Sequence, residues 1–395
     1  MEYAANPFRP GAGRVPPELA GRSTLLQEFG TRLYQARESG EGERPWILSG
    51  LRGVGKTVLL NQFGREATQL KLVFVKVEAS ASVSLSLALA KELQLALRKL
   101  LSTSDRAKQM WSRAASVLRS FQVRLDPTGA VSFAIDVEPL RGVADSGDLA
   151  VDFQELLNAV GLAAREANTV VLIAVDELQD AAESDLVALN IALHNLGQDS
   201  FPVPVMFVGA GLPSLPVVLA DATSYAERLY DYRKIGLLDE NSTSSALVLP
   251  ARVNGVEWAP SALHAAVQAT GGYPYFIQAC GSHVWAAHSG PVITDDDAQL
   301  GIQLAREEVE QGLYESRWDR ATPTQRAFMA AMAEDHDERT SIADLVVRLD
   351  RQRASDLSVN RRDLIRSGHI YAPERGFVAF TVPGMADFIL RHPDL

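Results

Sequence analysis

The chain has 395 residues, 47% hydrophobic and 22% charged, an ordinary soluble globular composition with material for two or three domains. Its one cysteine, Cys280, excludes an internal disulfide and a cysteine-based zinc site, and points to a reducing, cytoplasmic compartment. A formal net charge of −11 excludes a surface that attracts nucleic acid as a whole; no apolar run approaches the roughly 18 residues of a membrane span, and the opening lacks a signal-peptide pattern.

Residues 1–20 carry Pro7, Pro10, Pro16 and Pro17 with Gly11 and Gly13, which reads as an extended arm. Leu25, Leu26, Phe29 and Leu33 then have helical spacing over residues 23–37, behind Gly21-Arg22. A polar turn leads to residues 45–49, a short apolar run expected to form a buried strand.

The next stretch is Gly50-Leu51-Arg52-Gly53-Val54-Gly55-Lys56-Thr57, which fits the phosphate-binding P-loop pattern G-x-x-x-x-G-K-[ST]. A strand precedes it and helical spacing follows from Val58, as required of a loop that presents free N–H groups at a helix N-terminus. The glycines let successive N–H groups point inward, Lys56 is placed to reach the β- and γ-phosphates of a nucleotide, and the Thr57 hydroxyl to ligate Mg²⁺. The expected nucleotide contacts are Gly50, Arg52, Gly53, Val54, Gly55, Lys56, Thr57 and Val58.

Residues 72–77 read as a strand and 83–101 as a helix. Residues 102–148 look like an insertion, in which 121–125 and 131–136 flank Asp126-Pro127-Thr128-Gly129 and predict a β-hairpin. A helix over 149–167 leads back to the core. Residues 170–175 form a run of apolar and β-branched residues, the pattern of a strand buried on both faces, and end in Asp176-Glu177. Carboxylates at that end, together with a P-loop, make a Walker B pattern: Asp176 for Mg²⁺, Glu177 to polarise the attacking water.

A helix is expected over 183–196, a strand over 203–209 and a last core strand over 232–238. Strands and helices therefore alternate to residue 238, which predicts an α/β fold: a parallel sheet with helices on both faces, one strand separating the P-loop strand from the Walker B strand. Residues 239–318 read as helical, interrupted by Thr270-Gly271-Gly272-Tyr273-Pro274. Three helical segments, 322–333, 341–349 and 355–366, precede a hairpin over 370–380, the grammar of a winged helix. The expected division is 1–238, 239–318 and 319–395.

On Gly21-Arg22, Gly50 to Thr57, Val170 to Glu177 and Gly272-Tyr273-Pro274, the chain resembles bacterial P-loop ATPases of the AAA+ and STAND branch, including the Orc1/Cdc6-like and archaeal-type ATPases. The resemblance covers nearly everything outside 102–148. It implies a helical lid and a C-terminal winged helix, adenine as the base, Arg22 near it, and contacts from Gly272 and Pro274 to the nucleotide. Two elements of the pattern are missing. The fourth-strand end, Gly209-Ala210-Gly211, has no polar sensor, and 239–318 shows no lid arginine of the usual type, so hydrolysis is expected to be slow. Arg228 and Arg233 are the candidates to complete the site, in cis or from a neighbouring subunit.

The resulting reading is an ATP-hydrolysing switch in which ATP and Mg²⁺ clamp lid against core, with a protein partner or a second copy as its target. The alternative is a nucleotide-dependent DNA-binding regulator or loader, reading DNA through residues 341–381, where Arg348, Arg351, Arg353, Arg361, Arg362 and Arg366 cluster among acids. A small-molecule kinase fits less well, because it needs neither lid nor winged helix.

Overall fold

The computed structural model describes residues 5–99, 105–125, 143–199, 201–336 and 339–392. After the arm come α1 (Ser23–Ser39), β1 (Trp46–Ser49), α2 (Lys56–Gln69), β2 (Val73–Glu78), α3 (Leu85–Lys99), α4 (Asp105–Leu125), α5 (Leu149–Glu166), β3 (Val171–Asp176), α6 (Glu183–Gln198), β4 (Val205–Gly211), α7 (Leu215–Ala222), α8 (Ala226–Leu229) and β5 (Asp231–Lys234). The five strands form one parallel sheet in the order β2-β3-β4-β1-β5. β4 thus separates the P-loop strand β1 from the Walker B strand β3, as expected.

The strand sequences explain their places. β3 and β4 are buried along their whole length and read as unbroken apolar runs, whereas edge strand β2 alternates buried and half-buried residues. Two apolar cores lie on the sheet's two faces: one around Phe29, Trp46 and Phe63, the other around Phe121, Phe153, Phe207 and Tyr230. β5 stops at Lys234, short of the expected Leu238, because Leu238 turns to donate its N–H to the carbonyl of Gly272 at 2.8 Å.

The expected hairpin is corrected on its first arm. Residues 121–125 are the end of α4, and 131–136 lie outside the described residues. Trp111, Ala114, Ala115, Leu118 and Phe121 are buried at helical spacing and pack with α5 residues such as Phe153. That stripe outweighs the short local alternation from Phe121 to Leu125.

The remaining elements are α9 (Glu240–Val253), β6 (Glu257–Trp258), α10 (Pro260–Thr270), α11 (Pro274–Ala287), β7 (Val292–Ile293), α12 (Asp295–Val309), which continues as a π-helical stretch over Glu310–Glu315, and α13 (Ser316–Arg320). Then follow α14 (Pro323–Ala333), β8 (Thr340–Ser341), α15 (Ile342–Arg348), α16 (Ser358–Arg366), β9 (Ile370–Tyr371), β10 (Phe377–Phe380) and α17 (Met385–Arg391). The last strands make an antiparallel sheet, β8-β10-β9, beside three helices, the winged-helix arrangement. Capping boxes at Thr294/Asp297 and Thr322/Gln325 fix the starts of α12 and α14.

One apolar core runs through α9–α17. Ile277, Trp285, Trp318, Phe328, Leu364 and Phe388 all belong to it, and so does Phe8 of the arm. Trp318 and Ala321 are buried at the point where a boundary between lid and winged helix was expected.

Candidate active site

The sheet places the P-loop and the Asp176-Glu177 pair at the same edge, where open α/β sheets take ligands. Gly50 donates its N–H to the Gly211 carbonyl at 3.1 Å, and a side chain there would collide with the Ile235 carbonyl. Gly53 and Gly55 have φ of 74° and 98°, and Tyr273 packs directly over Gly53. α2 starts at Lys56, so its free N–H groups face the loop.

Lys56 is buried, and its Nζ donates to the carbonyls of Gly50 at 2.9 Å and Leu51 at 2.8 Å. Burial pushes its pKa down to about 8, against the raising influence of Glu177 and Asp176. The ammonium is therefore held by two carbonyls of its own loop.

Asp176 is buried at the end of β3, and its Oδ1 accepts the Glu177 N–H at 3.1 Å. Glu177 adopts a left-handed backbone, φ 47° and ψ 40°, an uncommon conformation for a side-chain-bearing residue. Its Oε1 lies 3.2 Å from Arg52 Nη1, and its Oε2 accepts from Gln179 Nε2 at 2.7 Å.

Gln179 is a site residue that sequence reasoning missed. Its Oε1 accepts the Leu212 N–H at 3.0 Å, and Gly211 leaves it room, since a Cβ there would clash with that oxygen. Gln179, on the short 3-10 turn after Glu177, thus bridges Glu177 to the end of β4.

A cavity of about 430 Å³ opens beside these groups; Gly50, Asp176 and Gln179 are not part of its lining. Arg52, Gly53, Val54, Gly55, Lys56, Thr57, Val58 and Glu177 line it from the core. Arg22, Tyr273, Pro274 and Arg317 join them from outside the sheet. Arg22 Nη2 donates to Gly236 at 2.5 Å and Val54 at 3.4 Å, and burial lowers its pKa. Gly272 does not line the cavity itself. Its φ of 73° and its contact with the Leu238 carbonyl form the corner that delivers Tyr273 and Pro274.

Arg228 and Arg233 are not brought to this cavity. Arg228 is exposed on α8. Arg233 pairs with Glu28 and Asp231 and lies 4.6 Å over the Trp46 ring, on the outer strand β5. Arg317 is there instead. Burial, then the neighbouring Arg52, pushes its pKa down to about 10. Its Nη1 donates to Gly368 at 3.0 Å in the winged helix, while its Nε is buried without a partner. Its position in α13, just after the irregular π-helical stretch, gave no sequence signal.

The winged helix also reaches the P-loop directly. The Arg52 N–H donates to the Thr381 carbonyl at 2.9 Å. Thr381 Oγ1 in turn donates to Gly368 at 2.6 Å.

Residues 18–208 match the family profile described as an AAA ATPase domain. This segment is an AAA ATPase domain. Residues 311–389 match a domain of unknown function, DUF8462, so the second match begins within the π-helical stretch just before α13, the helix that carries Arg317. A search of curated proteins gave no match. Among solved structures, a Walker-type ATPase of Pyrococcus abyssi superposes with a TM-score of 0.59 at 16% identity, over 96% of this chain and 99% of that one. The ORC2 protein of Aeropyrum pernix, in its ADPNP–ADP complexes, gives 0.56 at 14% identity, over 97% of each chain. At these identities the likeness is one of fold, and it extends past the ATPase domain through the helical region to the small antiparallel sheet. An AAA ATPase domain implies ATP binding and hydrolysis. Among the described residues no helix is long and apolar enough to cross a membrane.

Proposed function

We propose that the chain is an ATP-hydrolysing switch in which ATP clamps the helical region and winged helix onto the ATPase core. The observation that carries this reading is Arg317, which enters the P-loop cavity from the junction of those two parts, beside Arg52. Lys56, Arg52 and Arg317 are among the cationic side chains that line this one cavity. Without an anion they oppose closure; phosphate oxygens turn that repulsion into charge-assisted hydrogen bonds. A ligand favours the state it binds better, so ATP favours the closed arrangement.

Each group then has a task. Lys56 holds the outer phosphates, and the α2 N-terminus and loop N–H groups cradle them. Arg22, Tyr273 and Pro274 line the side opposite the sheet and would face the base and sugar. Glu177, held by Gln179, would orient and polarise the attacking water. The lock between Arg52 and Glu177 must loosen first, and Arg52 does so by turning to phosphate. Arg228 could complete a site only in a neighbouring copy.

The residues also suit Mg²⁺. Thr57 and buried Asp176 are hard oxygen donors, and among the described residues no cluster of three or more His, Cys, Asp or Glu forms an all-protein cage. Mg²⁺ keeps waters and takes phosphate oxygens, so two such ligands are in keeping with it. When bound it would neutralise charge developing on the phosphates.

The DNA-reading alternative leans on the arginines of residues 341–381. Arg348 is committed to Asp335 at 2.6 Å and Glu334 at 3.3 Å, and Arg362 pairs with Asp363. The positive surface left for DNA is therefore smaller than the sequence suggests. Arg317→Ala tests the switch. It should weaken ATP binding about tenfold, the worth of one charge-assisted hydrogen bond, in calorimetric titration. Unchanged affinity would remove the clamp.

A further inference from the structure

Lys76 lies beside the phosphate site but has no part in the reading above. It sits on β2, two residues before the strand end, in register with Ala174 of β3. Its Nζ is 3.7 Å from Asp176 Oδ2, the carboxylate oxygen that does not accept from Glu177. It also donates to Asn61 Oδ1 at 2.7 Å. Asn61, one turn along α2 from Thr57, donates its Nδ2 to the Gly13 carbonyl of the arm at 2.8 Å.

The partners fix the Asn61 amide. A backbone carbonyl only accepts and an ammonium only donates, so the nitrogen must face Gly13 and the oxygen Lys76. Gly13 is itself constrained, with φ 67° and Thr57 and Asn61 packed where its Cβ would be. The arm therefore holds Asn61, and Asn61 holds Lys76 toward Asp176. No sequence motif points to this chain of contacts.

We propose that Lys76 is a positioning residue that acts as a resident cation on Asp176, keeping free divalent metal off this carboxylate until nucleotide is present. The inference rests on Asp176 being the metal ligand of the proposed function. Two adjacent carboxylates at a strand end would otherwise attract divalent cations from solution. Here each faces a fixed cation, Asp176 with Lys76 and Glu177 with Arg52. A metal alone must compete with the ammonium for one carboxylate. With ATP present, phosphate oxygens add ligands and negative charge, and Lys76 can withdraw to Asn61 without losing that hydrogen bond.

The test is Mn²⁺ binding to the nucleotide-free full chain, read by electron paramagnetic resonance. Lys76→Met, similar in length and uncharged, should bind Mn²⁺ at least about tenfold more tightly than wild type, since one unit charge at contact distance is removed. Lys76→Arg, which keeps the charge, should stay near wild type, and thermal melts of both variants check folding. Equal Mn²⁺ affinity in Lys76→Met and wild type, or none in either, overturns the inference. Adding Asp176→Asn to Lys76→Met should abolish the gained binding. If the gain survives that change, the metal assignment of Asp176 itself fails. If wild type instead binds Mn²⁺ through Asp176 only with ATP, and Lys76→Met adds nothing without it, the metal site stands and the role of Lys76 falls.

Discussion

Lys56 shows how one side chain can be both buried and poised. Its folded pKa is pushed to about 8 from an ordinary 10.5 by loss of water, and two carbonyls of its own loop stand in for a ligand. Phosphate needs the charged form, so a bound nucleotide restores the higher pKa. Above pH 8 the free chain has lost this proton and must take it up on binding. ATP affinity should therefore fall as pH rises from about 8 towards 10.5, by up to about tenfold per unit. Calorimetry at pH 9 in buffers of different ionisation enthalpy should register proton uptake, and Lys56→Arg should remove it. The absence of uptake in wild type would mean that Lys56 does not hold the phosphates.

The same residues mark how far the sequence carries. Gly50 to Thr57 and Asp176-Glu177 were legible because each motif is local, its strand or helix flanks visible as apolar runs. Gln179 was not, because its role depends on Gly211, 32 positions away, leaving space for its amide. Arg317 was not, because the π-helical stretch before it breaks the helical period that would have set its direction. Arg228 was a reasonable candidate by position in the chain, but α8 turns it outward to solvent.

Among the elements, the corner between α10 and α11 joins core and lid structurally, and the proposed switch makes it their coupling point. Leu238, at the exit of the sheet, donates to Gly272, and Gly272 has no room for a side chain against the Leu238 carbonyl. Pro274 starts α11 and restrains Tyr273 to extended angles, with φ −77° and ψ 109°, so the Tyr273 ring stays over Gly53. Burial raises the Tyr273 pKa, and its hydroxyl stays neutral in the cavity wall. Pro274→Ala should weaken ATP binding several-fold with the fold intact, about 1 kcal/mol of the coupling between nucleotide and lid. Titration calorimetry beside a thermal melt separates the two effects; unchanged affinity would reduce the corner to a helix break. The period carries an element where it is sustained, as in α14, expected over 322–333 and found over Pro323–Ala333. The alternation of residues 121–125 is too short to outweigh the buried helical stripe that precedes it in α4.

Taken whole, the molecule has two bodies of core: the sheet with its two faces, and the continuous apolar core through α9–α17. The expected boundary near residue 318 falls inside the second, where Trp318 and Phe328 are buried together. Lid and winged helix therefore share one core, and the arm straps it to the ATPase core, where Phe8 packs into the lid and Gly13 binds α2. The chain order α/β sheet, helices, winged helix could be read from periodicity. The shared core could not, because it depends on which apolar faces meet. The contact of Thr381 with Arg52 depends likewise on two segments more than 300 residues apart.

The most direct test of the clamp is the distance between the two bodies. Val217 on α7 and Val359 on α16 are exposed and can be changed to cysteine for spin labels. Buried Cys280, its thiol pushed up to about 12, should remain unlabelled. Pulsed dipolar spectroscopy is then run in a Glu177→Gln background, which is predicted to retain ATP, with and without ATP and Mg²⁺. The account predicts a single narrow distance with ATP and a broader distribution, extending to longer distances, without it. Identical distributions in the two states, in a protein shown by calorimetry to bind ATP, would contradict the claim that nucleotide holds the winged helix against the core.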